Sequence, residues 1–282
     1  MILEGDFVMK VEIQKEAYEV IQKLNSQGFR AYLVGGCLRD YLMGFFPSDF
    51  DVATDAKPQQ VMSLFEKVIP TGISHGTVTV IISGVKIEVT TFRIDKQYKA
   101  HRWPEVEFTD SLFEDLKRRD FTINALAYHP EEGLIDFFGG IDDLKNKIIR
   151  CVGDAKDRFF EDALRILRCI RFASQLSFMI DEKTFEALKS MSFLLNNISK
   201  ERINAELTKI INSKNCKYGL KLLHDSGVGQ IIINRFDDIY KSLSKIDFDE
   251  IVNLKVPSFF SVLADSKAIE ETMRSLKYDK KS

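Results

Sequence analysis

The chain has 282 residues, 45% of them hydrophobic, and its 42 acidic and 40 basic residues give a formal net charge of −2. This length allows about two domains and this hydrophobic fraction supports a folded core, so a folded chain rather than an intrinsically disordered one is expected. The near-neutral charge excludes a strong overall basic field, so any binding to nucleic acid must rely on a local basic patch.

No segment approaches the roughly 18 consecutive apolar residues of a membrane span, and the start MILEGDFVMK lacks the features of a signal peptide. We therefore expect a cytoplasmic protein with no membrane partner, and no obligate protein partner is evident. The cysteines form no CxxC pair, which predicts reduced thiols rather than disulfides or zinc ligands. They are Cys37, Cys151, Cys169 and Cys216.

Helix and strand patterns alternate through the first half of the chain. A helical pattern over about residues 12–27 ends at Gly28, and short segments follow: AYLVGG, CLRDYLMG, DFDVAT, PQQVMSLFEK, GTVTVIIS and VKIEVTTF. The last two meet at Ser83 and Gly84, which predicts a hairpin turn and a sheet that is at least partly antiparallel. The patterns predict a mixed α/β domain and disfavour an ordinary Rossmann fold.

Helical spacing dominates beyond residue 150, in DRFFEDALRILRCIRFASQL, ERINAELTKIINS and YGLKLLHDSG. The second half of the chain is therefore predicted to be helical.

Between the strand pattern that ends in TTFR and the segment KRRD lies the polar stretch DKQYKAHRWPEVEFTDS. It is predicted to be too irregular to pack as an element of structure. Loops of this kind often move. Trp103 within it is interpreted equally well as part of a functional loop or as an ordinary surface anchor.

Asp49 and Asp51 stand two apart in SDFDVAT, so a strand would place both carboxylates on one face, close enough to share metal ions. Magnesium prefers such hard oxygen ligands together with substrate phosphates. Glu88 alternates with apolar neighbours in VKIEVTT and is a candidate third catalytic carboxylate. The alternative is that Glu88 pairs with Lys86 or Arg93 on a wet sheet face.

Gly35 and Gly36 follow the strand pattern AYLV and precede a helix pattern that begins near Cys37. Glycines allow the backbone to approach a triphosphate, a helix start offers N–H donors, and Arg39 adds a positive charge. The pattern therefore predicts a phosphate cradle. The competing interpretation is a tight turn with Arg39 paired to Asp40.

Four polar residues recur every three positions in one predicted helix of the second half. They are Asp162, Arg165, Arg168 and Arg171. Arginines beside apolar positions indicate a lined cleft, and the alternative is a solvated helix face. Glu161 lies four residues before Arg165 and is predicted to orient it.

The segments LVGGCLRD, SDFDVAT, KRRDFTINALA and EDALRILRCIRFA together resemble the class II tRNA nucleotidyltransferases, which share a catalytic head with bacterial poly(A) polymerases. The resemblance covers about residues 30–210. It implies a nucleotidyltransferase that uses Mg²⁺, CTP and ATP and extends the 3′ end of tRNA. It also implies that Asp49 and Asp51 hold the metals, and it assigns nucleotide binding to Gly35, Gly36, Arg39, Arg119, Asp120, Asn124, Asp162, Arg165, Arg168 and Arg171.

In this family the aspartate and first arginine of EDxxR, here Asp162 and Arg165, serve as a protein template for the incoming base. Cytosine and adenine each present an amino donor beside a ring-nitrogen acceptor, which matches a carboxylate and a guanidinium. Uracil and guanine present the opposite order and would leave buried polar groups unpaired. The family's flexible loop before KRRD helps the site change from CTP to ATP.

The resemblance implies an α+β head with a mixed, partly antiparallel sheet over residues 1–138. An all-helical neck over 139–215 and a partial helical body over 216–282 follow, with the family's tail expected to be absent. The rivals are a poly(A) polymerase, an enzyme that adds only adenosine, and a non-catalytic RNA-binding module. PTGISHGTVTV favours the tRNA enzymes over the polymerases, and the intact Asp49 and Asp51 argue against a module without catalysis.

Overall fold

The computed structural model describes residues 13–99, 103–243, 273–274 and 276–277. Contacts divide the chain into two compact units, Met1–Gln97 with Pro104–Asn146 and Tyr98–Trp103 with Lys147–Ser282. The domain boundaries at residues 138 and 215 stay predictions. Within the described ranges, no helix is both long and apolar enough to cross a membrane.

The elements up to residue 146 are a mixture of helices and strands, as the sequence patterns predict. In chain order they are α1 (Lys15–Ser26), β1 (Ala31–Val34), α2 (Gly36–Leu42), β2 (Phe50–Thr54), α3 (Pro58–Leu64), β3 (Val68–Gly72), β4 (Thr77–Ile82), β5 (Val85–Thr91), β6 (Arg93–Lys99), β7 (Trp103–Phe108), α4 (Leu112–Lys117), β8 (Leu126–His129), β9 (Gly133–Asp136) and α5 (Gly140–Asn146).

Seven of these strands form one mixed sheet in the order β3-β4-β5-β2-β1-β8-β9. Strands β2 and β5 run parallel, and the other neighbouring pairs run antiparallel. The predicted mixed sheet is therefore confirmed. The β4–β5 hairpin is confirmed as well, because Ser83 (φ 50°) and Gly84 (φ 85°) adopt the left-handed conformations that a tight two-residue hairpin turn requires.

The two faces of the large sheet differ in chemistry. One face packs against α1, α2 and α3, and its buried residues include Leu33, Val52, Val78, Val80, Ile87 and Val89. Because side chains alternate along a strand, the residues between these point to the other face. That face is the more polar one and carries Asp51, Glu88 and hydrogen-bonded threonine pairs such as Thr71 with Thr79 at 3.1 Å.

The segment DKQYKAHRWPEVEFTDS, which the sequence predicts to be irregular, instead overlaps β6 and β7, which form a separate two-stranded sheet. The prediction is wrong because backbone pairing orders these residues although their side chains are mostly polar and charged. Residues 100–102, including His101, lie outside the described residues. So does the side chain of Trp103, and its two interpretations both stay open.

From residue 147 to residue 243, the described part of the second unit is helical apart from one short parallel strand pair, which the prediction of an all-helical neck did not include. Its elements are β10 (Ile148–Ile149), α6 (Ala155–Glu161), α7 (Leu164–Leu176), β11 (Met179–Ile180), α8 (Glu182–Met191), α9 (Lys200–Ile211), α10 (Cys216–Asp225), α11 (Val228–Ile232) and α12 (Phe236–Leu243).

The predicted continuous helix through Glu161 and Arg171 is broken. Helix α6 ends at Glu161, Asp162 is extended with φ −140° and ψ 103°, and α7 begins at Leu164. Apolar periodicity continues across this break, which is why the sequence pattern did not reveal it. Asp162 therefore lies at a junction between two helices rather than on a helix face.

The four cysteines all lie in the described part of the chain and form no disulfide bond there. Cys37, Cys151 and Cys169 are buried. Burial raises the pKa of the Cys37 thiol to about 12, so this side chain behaves as a small apolar group near neutral pH.

Candidate active site

The turn between β1 and α2 brings the backbone against two charged side chains of the first unit. Gly35 has φ +78°, and a Cβ atom there would lie 3.1 Å from Arg119 Nη1 and 3.2 Å from Asp51 Oδ2. A side chain at this position would be both strained and crowded. The glycine therefore allows a carboxylate and a guanidinium to lie close to the same stretch of backbone.

Asp51 lies inside β2, directly opposite Glu88 of the parallel strand β5 and opposite Val34 of β1. Burial raises the pKa of Asp51 to about 6, Arg119 opposes this shift, and the charges of Glu88 and Asp49 add to it. The structure thus places both Glu88 and Asp49 within electrostatic reach of Asp51. Glu88 and Asp49 themselves are exposed.

The alternative ion pairs for Glu88 are not formed. Arg93 Nε lies 3.2 Å from Asp95 Oδ1, and neither Arg93 nor Lys86 pairs with Glu88 in the described part of the chain. Asp49 lies just before β2, in a bend, and accepts a hydrogen bond from Ser48 Oγ at 3.0 Å. The placement on one strand face that the sequence predicts therefore applies to Asp51, whereas Asp49 approaches from the chain just outside the strand.

The acidic side chains fit a divalent cation only in part. Among the described residues, no group of three or more histidine, cysteine or acidic side chains is arranged as a complete metal site. Burial is the main cause of the raised pKa of Asp51, and repulsion by Glu88 and Asp49 adds to it. A cation would relieve this repulsion, and carboxylate oxygens suit Mg²⁺. Substrate phosphates and water would have to supply the remaining ligands, as is usual for this ion.

Arg39 is 8% exposed and takes part in a buried polar chain. Its Nη1 donates to Asn124 Oδ1 at 2.8 Å, and Asn124 Nδ2 donates to Asp120 Oδ1 at 3.1 Å. The alternative pairing is present too, because Arg39 Nη2 donates to Asp40 Oδ1 at 2.7 Å. Three of the predicted nucleotide-binding residues are thus brought together, and Arg39 contacts Asp40 at the same time.

Arg119 is held by a residue that the sequence analysis missed. Its Nη2 donates to Asp115 Oδ2 at 3.2 Å, and its Nη1 lies 3.4 Å from the carbonyl oxygen of Asn124. Asp115 is fully buried. The spacing in EDLKRR could have revealed this contact, because Asp115 stands three and four residues before Arg118 and Arg119 on a helical pattern.

In the second unit, Asp162 uses both carboxylate oxygens. Oδ1 accepts the Leu164 backbone N–H at 3.0 Å, and Oδ2 accepts Arg202 Nη2 at 2.7 Å. Arg202 belongs to the segment ERINAEL on α9, whose spacing alone gave no reason to connect it with Asp162. A residue far along the chain therefore fixes the orientation of the predicted base-selecting carboxylate.

Arg165 is 9% exposed, and its Nη1 donates to Glu161 Oε2 at 2.5 Å and to the carbonyl oxygen of Arg158 at 3.1 Å. The predicted contact between Glu161 and Arg165 is present. It connects the end of α6 to the first turn of α7 across the break at Asp162. The guanidinium is held in place by the same junction that carries the aspartate.

Arg168 and Arg171 lie further along α7. Both guanidinium groups lie near the ring of Phe172, at 5.4 Å and 3.9 Å, and Arg171 Nε lies 2.6 Å from Glu206 Oε2. Arg171 is 9% exposed, so the alternative of a solvated helix face is wrong for this position and for Arg165. The structure gives Arg171 a buried ion pair with α9, and its nucleotide contact stays a prediction.

Two family models match the chain. The model described as "Poly A polymerase head domain" matches residues 31–150, and the one described as "Probable RNA and SrmB- binding site of polymerase A" matches residues 177–239. The first covers the β1–α2 turn, the carboxylates and the Asp115 contacts. The second covers α8 to α11 and begins after the Asp162 junction.

Curated relatives and solved structures agree with these matches. A CCA-adding enzyme of Ligilactobacillus salivarius (strain UCC118) is 42% identical over 260 residues, which are 92% of this chain and 64% of the relative. One from Enterococcus faecalis (strain ATCC 700802 / V583) is 50% identical over 207 residues, 73% of this chain and 51% of the relative. The chain spans between about half and two thirds of the length of these relatives.

A crystal structure of the Bacillus stearothermophilus CCA-adding enzyme in complex with CTP is 36% identical, with a TM-score of 0.82 over 95% of this chain and 66% of that chain. A structure of a tRNA-processing enzyme with CTP is 28% identical, with a TM-score of 0.71 over 93% of this chain and 74% of that chain. Sequence and fold agree, and the chain belongs to the poly(A) polymerase and tRNA nucleotidyltransferase family.

Proposed function

We propose that this chain carries the catalytic and base-selecting parts of a CCA-adding enzyme, which transfers CMP and AMP from CTP and ATP to the 3′ end of tRNA and releases pyrophosphate. The observation that carries the proposal is the close approach of Asp51 and Arg119 to Gly35, with Glu88 beside Asp51. The carboxylates that would bind a metal ion and the Arg119 guanidinium that would bind phosphates therefore lie around one glycine turn. The relatives named CCA-adding enzymes point to the same reaction.

Metal dependence follows from the family, and we propose Mg²⁺ as the ion. When bound, Mg²⁺ would supply Lewis-acid stabilisation of the charge that develops on the attacking and leaving oxygens. Asp49 and Asp51 would hold it, with Glu88 adding negative charge next to Asp51. Arg119 would attract the triphosphate, and the lack of a side chain at Gly35 would let phosphate oxygens approach the backbone.

Base selection would rest on Asp162 and Arg165. An ionised carboxylate accepts from the exocyclic amino group of cytosine or adenine, and a guanidinium donates to the neighbouring ring nitrogen. Arg202 and Glu161 hold these two side chains by hydrogen bonds of 2.7 and 2.5 Å, so neither can easily turn toward uracil or guanine. A rigid pair of this kind rejects a mismatched partner because polar groups would be buried unpaired.

The test is extension of a tRNA that lacks CCA, using purified protein with Mg²⁺, CTP and ATP. We expect three additions, two of cytidine and one of adenosine, and we expect Asp51→Ala to abolish them. Asp142→Ala is the matched control, because its side chain, on α5, is 80% exposed and pairs only loosely with Lys145, at 3.9 Å. CTP, ATP and tRNA are cytoplasmic molecules, so the activity is expected in the cytoplasm.

Each rival gives a different product. Addition of one adenosine only, to a tRNA that already ends in CC, would indicate the A-adding enzyme. A long adenosine tail would indicate a poly(A) polymerase. Binding of the tRNA without any extension would replace the proposal with the non-catalytic RNA-binding module.

A further inference from the structure

Asp115 carries a buried negative charge that faces two arginines. Its Oδ1 accepts Arg118 Nη2 at 2.7 Å and Nε at 3.0 Å, and its Oδ2 accepts Arg119 Nη2 at 3.2 Å. The side chain is 1% exposed. Although burial raises the pKa of Asp115, the charges of Arg118 and Arg119 outweigh this and hold it below its ordinary value. Asp115 is therefore ionised at neutral pH.

The two arginines depend on Asp115 to different degrees. Arg118 has a second carboxylate nearby, since its Nη1 lies 3.8 Å from Asp95 Oδ2. Arg119 pairs with Asp115 alone among the acidic residues of the described chain. Among the residues that the structure describes, its Nε is buried without a hydrogen-bond partner, and its Nη1 reaches only the Asn124 carbonyl oxygen, at 3.4 Å. Loss of Asp115 would thus free Arg119 more than Arg118.

Resting on the proposed function, we infer that Asp115 is a positioning residue that fixes the guanidinium of Arg119 beside Gly35 and Asp51, where the nucleotide's phosphates would bind. The residue itself is buried and touches no substrate. It acts by anchoring Nη2 of Arg119, which leaves Nη1 facing the glycine turn. A guanidinium held in this way loses less conformational entropy on binding phosphate than a mobile one.

The substitution Asp115→Asn separates anchoring from packing because it keeps the side-chain shape. Its amide oxygen can still accept from Arg118 and from the backbone N–H of Arg93, which lies 3.3 Å from Asp115 Oδ1. Its amide nitrogen would then face Arg119 Nη2, so two donors would oppose each other. We expect the dissociation constant for CTP to rise about tenfold, which corresponds to about 1.4 kcal/mol. CMP, with a single phosphate, should lose less affinity than CTP.

A double-mutant cycle tests whether Asp115 acts through Arg119. CTP binding is measured for Asp115→Asn, Arg119→Gln and the double variant, and the two effects should not add if one residue works through the other. Glu114→Gln is the matched control on α4, because it removes only a partly exposed pair with Lys117 at 3.6 Å. It should bind CTP as the wild type does.

Additive effects in the cycle, or equal losses of CTP and CMP affinity, would overturn the inference. If Asp115→Asn does not fold, Asp115→Glu replaces it, since the longer side chain keeps the charge but displaces the guanidinium. Unchanged CTP affinity in the folded Asp115→Glu protein would also overturn the inference. If the wild type fails to extend tRNA, the proposed function fails while the binding cycle can still be measured.

Discussion

Asp51 on β2 and Glu88 on β5 are direct register partners across a parallel strand pair. Register partners on neighbouring strands project to the same face of a sheet, so the two carboxylates share the polar face of the first unit. Burial, with a further contribution from their repulsion, keeps Asp51 easier to protonate than an ordinary aspartate. A bound cation would remove this repulsion, so the pKa of Asp51 should respond strongly to metal binding.

Replacing Glu88 with Gln should lower the pKa of Asp51, because the Glu88 charge raises it in the wild type. The shift can be followed by carboxyl carbon NMR in metal-free protein. We also expect Mg²⁺ to bind about tenfold more weakly. Glu66→Gln, on an exposed side chain, should change neither quantity. An unchanged Asp51 titration in Glu88→Gln would exclude the proposed role of Glu88.

Asp51→Asn should stabilise the metal-free protein above neutral pH. The folded-state pKa of Asp51 is raised from 3.8 to about 6, so the free energy of unfolding falls as pH rises through this range. Asparagine does not ionise and avoids this loss. In urea unfolding with EDTA, the variant should exceed the wild type by about 1–3 kcal/mol at pH 8 and by less than about 1 kcal/mol at pH 4. Asp142→Asn should show no such pH-dependent gain.

Alanine substitutions at Gly35 and Gly28 can separate the effect of backbone strain from the effect of side-chain crowding, because the two glycines have similar φ angles. Gly35 has φ +78° and Gly28 has φ +83°, but only at Gly35 would a Cβ meet other atoms within 4 Å. Alanine at either position should cost about 1–2 kcal/mol of stability. Only Gly35→Ala should also reduce CTP affinity, because its methyl group would displace Arg119 Nη1 and Asp51 Oδ2. Equal CTP binding by the two folded variants would contradict the proposed approach of phosphate to this turn.

Arg202→Gln should reduce base selection more than catalysis. The substitution removes the 2.7 Å contact to Asp162 Oδ2 and lets this carboxylate turn. We expect the preference for CTP over UTP, measured as the ratio of kcat/KM, to fall about tenfold, or about 1.4 kcal/mol. Arg235→Gln breaks an exposed pair with Asp238 at 2.9 Å and serves as the control. A CTP preference that is lost equally in both variants would point to general destabilisation.

Local features of the first unit could be predicted from the sequence. The Ser83–Gly84 turn and the exposed side of Glu88 follow from turn chemistry and from the alternation of polar and apolar residues. The parallel pairing of β2 with β5 could not be predicted, because strand order depends on contacts between residues distant in the chain. Asp115 escaped notice because a helical acidic residue near arginines is usually an exposed surface pair.

The second unit shows the limits of periodicity more clearly. Apolar residues continue with helical spacing through the break at Asp162, and no glycine or proline marks it. The contact with Arg202 joins residues 40 positions apart and depends on how α9 packs against α7. Motif resemblance could identify Asp162 and Arg165 as candidates, whereas only the folded chain shows which side chains hold them.

The double engagement of Asp162 constrains how this protein can be re-engineered. Its Oδ1 accepts the N–H of Leu164, one of the backbone donors that a helix start leaves without a partner. A substitution that changes base preference also removes this acceptor and should cost about 1 kcal/mol of helix stability, unless asparagine or another short acceptor replaces it. Laboratory evolution toward a new nucleotide should therefore succeed more often from a stabilised parent, in which α7 tolerates the loss.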